Sequence, residues 1–344
     1  MAAPSLHSRP NQAPIKSALP LLRLGHIMAF NSYLRDTGVP VESHMRRSAL
    51  PILCDDPDHF VPLFRAWSFF ECLARYEDRM VGWRAGSFSG DQNLNAAMLH
   101  DMECAPTLFR ALQQFVRMAR MEASQIELGM CWRHDDLLIF THYSDMGDRP
   151  GYRVAQAYQL EVILGLLRHL LGCPWSPAEI GVEGPVEVAD LESFFPDTRI
   201  LNEQPFGYIV LPRELLHLPA PRAELEFHAD EESTPVDGEC PIDTLRTVLP
   251  AYLCDGYPSA ALAARLIGVS ERTLARRLAE RGLGYGGLID DIRFQEAEKL
   301  LQDPSICIGE VARAVGFEDQ SNFTRMFRRI AALTPGEYRN TTCH

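Results

Sequence analysis

The C-terminal part of this chain carries the same short pattern twice, and that duplication limits its fold more than any other feature of the sequence. Ala264-Arg265-Leu266-Ile267-Gly268-Val269 is echoed by Ala312-Arg313-Ala314-Val315-Gly316-Phe317, 48 residues on. Farther along, Leu274-x-Arg276-x-Leu278 is matched by Phe323-x-Arg325-x-Phe327 at an offset of 49, so the first copy is one residue shorter in its turn. Each copy reads as a short apolar helix, a turn begun by glycine and a second helix that carries an arginine. A small residue in the first helix lets the second cross closely, and glycine permits the tight turn. Two helix-turn-helix units are expected.

The stretch between them, about Gly287 to Gln302 (GLIDDIRFQEAEKLLQ), reads as one connecting helix. At a rise of ~1.5 Å per residue it spans ~20–25 Å. With the width of the two units added, the second helices come to lie about one DNA turn, ~34 Å, apart. Ser270 is a good N-cap for the first of them. Leu274 and Leu278 should face the core, which turns Arg272, Ala275 and Arg276 outward. Burial of Phe323 and Phe327 turns Gln320, Ser321, Asn322 and Arg325 outward in the second. Arginine reads guanine through O6 and N7, and Asn or Gln reads adenine through N6 and N7. Arg277, Arg328 and Arg329 lie to the side, where they suit phosphates and set register without reading sequence. Exposed arginines on a lone helix are most often only solvated; the duplicated frame favours a reading surface.

Residues 246–344 resemble the DNA-binding domain of the AraC/XylS family of bacterial transcription regulators. The resemblance rests on LAARLIGVSERTLARRLAERG and on IGEVARAVGFEDQSNFTRMFRRIAALTPGEYR, with its closing Thr334-Pro335-x-x-Tyr338-Arg339. The upstream part is similar to the N-terminal "arabinose-binding"-type sensor domain of one branch of that family, through GYRVAQAYQLEVILGLLRHLLGCPWSPAEIGVEGP and the ILNEQPFGYIVLPRELLHLP tail. That label does not establish a sugar ligand. The resemblance places the base-contacting positions on the outward residues named above. It implies a one-component regulator, for most relatives an activator, that binds double-stranded promoter DNA, works with RNA polymerase and responds to a small-molecule effector. The N-terminal domain would sense the effector or serve homodimerisation.

Residues 1–18, rich in Pro, Ser and Asn, read as a disordered N-terminus. Apolar spacings of three and four predict helices over about Leu19 to Asp36, 58–76 and 106–121. The period then changes. Gln125 to Phe140 reads as two strands around a turn at Arg133-His134-Asp135-Asp136. A long helix, Tyr152 to Leu171, stops at Gly172, and short strands in AEIGVEG, TRILN and FGYIVL flank a helical piece near Asp190 to Phe195. Helices followed by an antiparallel sheet make residues 19–218 an α+β domain. Residues 219–245, rich in proline and acidic residues, read as a linker to an all-α domain over 246–344. Charge divides at about the same place. From Arg246 onward there are 13 Lys+Arg against 12 Asp+Glu, a net of +1, so the rest of the −13 chain carries −14. Two domains with different partners are implied.

Several other classes find no support. No apolar run reaches the ~18–20 residues that span a bilayer, and the start of the chain has no apolar core for a signal peptide. A cytoplasmic protein without a membrane partner is expected. The nine cysteines are scattered without a CxxC pair, which fits free thiols and neither a disulfide framework nor a zinc knuckle. Gly282-Leu283-Gly284-Tyr285-Gly286-Gly287 satisfies GxGxxG by letter, but it follows a helix and lacks a βαβ unit. Cys131-x-x-His134 is half a metal site without a second half, and His134-Asp135-Asp136 reads as a polar turn. No catalytic residues, metal or cofactor are expected, and the chain is read as a non-enzyme. Two alternatives stand beside that reading: an enzyme with catalysis in residues 20–218 and a DNA-binding appendage, or a DNA-alkylation-repair-type regulator. The second needs clustered N-terminal cysteines. Trp67, Phe69, Phe70, Tyr152 and Tyr158 are candidates to line an apolar pocket, but aromatics at helical spacing are more often core residues, and the ligand-binding residues stay unassigned.

Overall fold

The computed structural model describes residues 19–89, 96–143, 150–186, 188–222, 241–267 and 269–342. The expected disordered N-terminus (1–18), most of the expected linker (223–240) and Gly268 lie outside them.

Two features depart from helical periodicity near the start: a pair of short strands, the second fixed by a proline and the first by pairing with it. Residues Leu21–Arg23 form a strand, β1, before helix α1 (Leu24–Asp36) begins. Phe60–Pro62 form its antiparallel partner β2, and helix α3 (Leu63–Tyr76) starts only after it. A residue before proline is pushed to extended backbone, so Val61 cannot continue a helix into Pro62. Between them lies α2 (Val41–Ser48), and after α3 come α4 (Val81–Ser89), α5 (Ala96–Glu103) and α6 (Leu108–Glu122). Helices α2, α4 and α5 are all short, with apolar stripes too brief for periodicity to single out.

The predicted strand pair is a hairpin, β3 (Ile126–Arg133) and β4 (Asp136–Tyr143), with Arg133 opposite Asp136 and His134 at φ 58° in the turn. The long helix α7 (Pro150–Leu171) follows, then β5 (Glu179–Gly181), α8 (Val188–Phe194), β6 (Arg199–Leu201), β7 (Gly207–Leu211) and a 3-10 turn over Arg213–His217. The five strands are ordered β3-β4-β7-β5-β6. Three of the pairings are antiparallel as expected; the edge strand β6 runs parallel to β5. Helix α8 is the reason, because a parallel neighbour needs a crossover rather than a tight turn. Helix α7 is buried on nearly every side and forms the axis of the domain. Helix α4 lies directly on it through two glycines. A Cβ on Gly82 would stand 2.3 Å from the Val154 carbonyl oxygen, and one on Gly86 would stand 2.6 Å from Glu161 Cβ.

The C-terminal part is helical throughout: α9 (Pro241–Val248), α10 (Pro250–Leu253), α11 (Ala260–Leu266), α12 (Glu271–Glu280), α13 (Tyr285–Leu301), α14 (Ile308–Ala314), α15 (Gln320–Ala331) and α16 (Pro335–Thr342). The connecting helix therefore starts two residues before Gly287, and Gly286 and Gly287 sit in its first turn. Helix α13 serves two cores. Its Leu288, Ile289 and Ile292 join the large core that also holds α9 to α12, whereas Ala297 and Leu301 join a second one with Val311, Phe323 and Phe327.

The large core is continuous between the N-terminal part and α9 to α13. Polar contacts add to it. Asp255 accepts the backbone N–H groups of Ile52 and Leu53 at 2.8 Å each, and the Tyr252 hydroxyl donates to the Ala49 carbonyl at 3.2 Å. His59 Nε2 lies 3.6 Å from the Glu296 carboxylate. Among the described residues no helix is long and apolar enough to cross a membrane.

Candidate nucleic-acid interface

Each helix-turn-helix unit is fixed by side chains that cap its helix starts. Ser259 Oγ accepts the Leu262 N–H ahead of α11, and Ser270 Oγ accepts the Thr273 N–H ahead of α12, both at 3.1 Å. In the second unit Cys307 and Glu310 form a capping box before α14, and Asp319 accepts the Ser321 N–H at 2.8 Å before α15. Caps satisfy N–H groups that a helix start leaves without partners. They also set where each second helix begins, and hence which residues face outward.

Leu274 and Leu278 of α12 are buried, and Arg272, Ala275 and Arg276 are exposed. Arg276 lies 3.8 Å from Glu280 one turn on, a solvent-screened pair. Arg277 is half-buried at the side of the same helix. On α15, Phe323, Met326 and Phe327 are buried, and Gln320, Ser321, Asn322 and Arg325 form an exposed polar face. Arg325 donates to the Asn322 side-chain oxygen, so the two present one joined group. Arg328 and Arg329 are exposed near the helix end, with Arg329 paired to Asp290 of α13. The structure thus brings each predicted set together on one helix and, apart from half-buried Arg277, leaves every member open to solvent.

Three residues hold the units in place: Gly316 of the second turn, Arg339 of the closing motif and Arg293, which sequence reasoning did not single out. Arg293 is buried inside the domain, where its guanidinium donates to the Gly316 carbonyl at 2.7 Å and stacks over Phe317 and Tyr257. It ties α13 to the second turn. Gly316 has φ 79°, and a Cβ there would stand 2.4 Å from the Leu253 carbonyl oxygen at the end of α10. Arg339 donates to the carbonyls of Leu301 and Ile306, at 3.2 and 2.8 Å, and so covers the C-terminal end of α13. Beside it the Tyr338 hydroxyl donates to Glu298 at 2.5 Å. A signal for Arg293 exists in the sequence: it falls on the four-residue stripe Ile289, Arg293, Ala297, Leu301, whose other members are apolar.

The remaining motifs take ordinary places. Gly282, at φ 69°, closes α12, and the glycine-rich run leads straight into α13. Cys131 is half-buried on β3 and His134 stands in the hairpin turn. Among the described residues no group of three or more His, Cys, Asp or Glu side chains is placed to hold a metal.

Comparison with known proteins places these two parts in context. Residues 38–220, more than half of the chain, match the family described as "Arabinose-binding domain of AraC transcription regulator", and residues 263–341 match a helix-turn-helix domain family. The chain is 33% identical over 87 residues to the HTH-type transcriptional regulator VqsM of Pseudomonas aeruginosa, covering 25% of this chain and 27% of that one. It is 31% identical over 144 residues to the ornithine utilization regulator of the same organism, covering 40% and 42%. These matches thus span well under half the length of either relative. The crystal structure of transcriptional regulator CdpR from Pseudomonas aeruginosa aligns over 92% of this chain and 98% of its own, at 21% identity and a TM-score of 0.42.

Proposed function

The chain belongs to the AraC family of transcription regulators, and from that premise we propose that it is a one-component regulator that binds promoter DNA through α12 and α15 and responds to a small-molecule effector. One observation carries this reading: two capped helices with exposed polar faces are mounted on a single helix, α13, whose ends are built into two separate cores. A helix of 17 residues is ~25 Å long and holds the two units at a fixed separation. Such a frame suits successive major grooves on one side of a duplex. Arg272, Ala275 and Arg276 read one half-site, and Gln320, Ser321, Asn322 and Arg325 read the other. Arg277, Arg328 and Arg329 hold phosphates.

In this reading the protein acts in the cytoplasm, without catalysis, as an activator that works with RNA polymerase, and the N-terminal domain supplies effector sensing and any homodimer contact. The contacts of Asp255, Tyr252 and His59 across the two parts are the element an effector would bias. A ligand can shift that equilibrium only by preferring one arrangement of the two parts. Gel-shift titrations of the full chain on its promoter at several salt concentrations test the DNA-binding claim. Arg328→Ala should weaken binding on all sequences alike and reduce the salt slope by about 1. Binding that ignores both salt and this substitution would remove the proposal.

A further inference from the structure

We infer that the N-terminal domain holds a binding cavity for a small, uncharged, mostly apolar molecule, of the size of a phenol ring with one hydroxyl or carbonyl, and that a sugar is not its ligand. This rests on the reading that the domain senses an effector. A cavity of about 50 Å³ lies among β1, α1, α3, α6, the β3–β4 hairpin and α7. One water needs only ~10–15 Å³ of such space, so there is room for several waters or one small ring. The walls are largely apolar, with Phe70, Phe115, Ala119, Leu128, Val162 and Ile163 among them.

Polar groups enter as two small sets. At one, the Glu122 carboxylate receives Arg23 and lies 2.9 Å from His26 Nε2, while His26 Nδ1 meets the Tyr158 hydroxyl at 3.1 Å. Burial pushes the Glu122 pKa up, but His26 and Arg23 outweigh it and hold the carboxyl below its usual range. That charge is already compensated. At the other, Thr141 donates to the Gln159 side-chain oxygen at 2.6 Å, and the Gln159 amide donates to the Tyr143 hydroxyl. The Tyr143 hydroxyl keeps its own proton for an acceptor.

These facts select the ligand class. A buried charge without a partner is costly, and the cavity offers neither sign of charge uncompensated. A pentose brings several hydroxyls, each of which would lose water and need a partner that apolar walls cannot supply. A ring with one oxygen fills the apolar space and needs only one partner, which the Tyr143 hydroxyl can be.

Thermal unfolding of the full chain tests this with phenol and benzyl alcohol against L-arabinose, benzoate and benzylammonium. The neutral aromatics should raise the Tm saturably, by about 2–4 °C at concentrations well above their Kd. Arabinose and the charged rings should leave it in place. Ala119→Leu, which fills the cavity, should abolish the phenol shift. Tyr143→Phe keeps the volume, and there the phenol Kd should rise about tenfold, which scores the idea even if the filled variant does not fold. The inference is overturned if neither neutral aromatic moves the Tm, or if arabinose or a charged ring gives the larger saturable shift. It is overturned equally if phenol acts unchanged on Tyr143→Phe. Gel-shift binding scores the regulator reading separately: a chain that binds DNA and ignores these probes keeps its reading helices and loses this cavity.

Discussion

Glu161 shows how far burial can move one group. It is 1% exposed on the central helix α7, with Arg168 3.3 Å away. Burial pushes its carboxyl up to about 7, and Arg168 only partly offsets this. A folded-state pKa raised above the unfolded one favours the protonated, folded form at low pH. The folded protein therefore loses stability as pH rises from the free value of 4.5 through about 7. The full loss is on the order of 3 kcal/mol. Urea unfolding midpoints measured from pH 5 to pH 8 should fall less steeply for Glu161→Gln than for the native chain. Parallel curves would mean that Glu161 does not titrate in this range.

Among the elements, the close seat of α4 on α7 is the most exacting. Gly82→Ala would drive a methyl group to 2.3 Å from the Val154 carbonyl oxygen, a contact that backbone movement alone can relieve. A loss of ~1–3 kcal/mol is expected, the usual range for overpacking, and calorimetry of the full chain would measure it. An unchanged Tm would show that the two helices are not held in this seat. Sequence reading found α3, α6, α7, the β3–β4 hairpin and all four helices of the two helix-turn-helix units, because each has either a long stripe or a repeat to betray it. It overran at Leu21–Arg23 and Phe60–Pro62: Pro62 forces Val61 to be extended, and Leu21–Arg23 are extended because they pair with that strand, a contact that local spacing does not encode. It did not single out α2, α4 and α5, which run 8, 9 and 8 residues. In the candidate interface the outward sets on α12 and α15 were legible, since heptad-like burial of Leu274, Leu278, Phe323 and Phe327 leaves little choice. The bracing by Arg293, Gly316 and Arg339 depends on contacts between distant segments, which local pattern does not encode.

At the scale of the molecule, the N-terminal and helical parts meet through groups that titrate. His59 lies between Asp56, at 3.3 Å, and Glu296, at 3.6 Å. Burial opposes its protonation, but the neighbouring carboxylates of Glu296 and Asp56 outweigh it, so its pKa is raised from 6.5. A raised histidine stabilises the folded arrangement below its free pKa and loses that contribution as pH rises through the folded one. Glu296→Gln should therefore cost stability at pH 6 and make less difference at pH 8.5, as read from urea midpoints. An equal loss at both pH values would assign Glu296 a role that does not involve the charge of His59.

The paired reading head is the central claim, and selection of preferred sequences from a random DNA pool tests it most directly. The native chain should recover two half-sites about one helical turn, ~10 bp, apart. Arg276→Ala should lose preference at one base position in one half-site, and Arg325→Ala at one position in the other, each by ~1–3 kcal/mol. A single uninterrupted site, or two variants that select the same sequences as the native chain, would contradict the account.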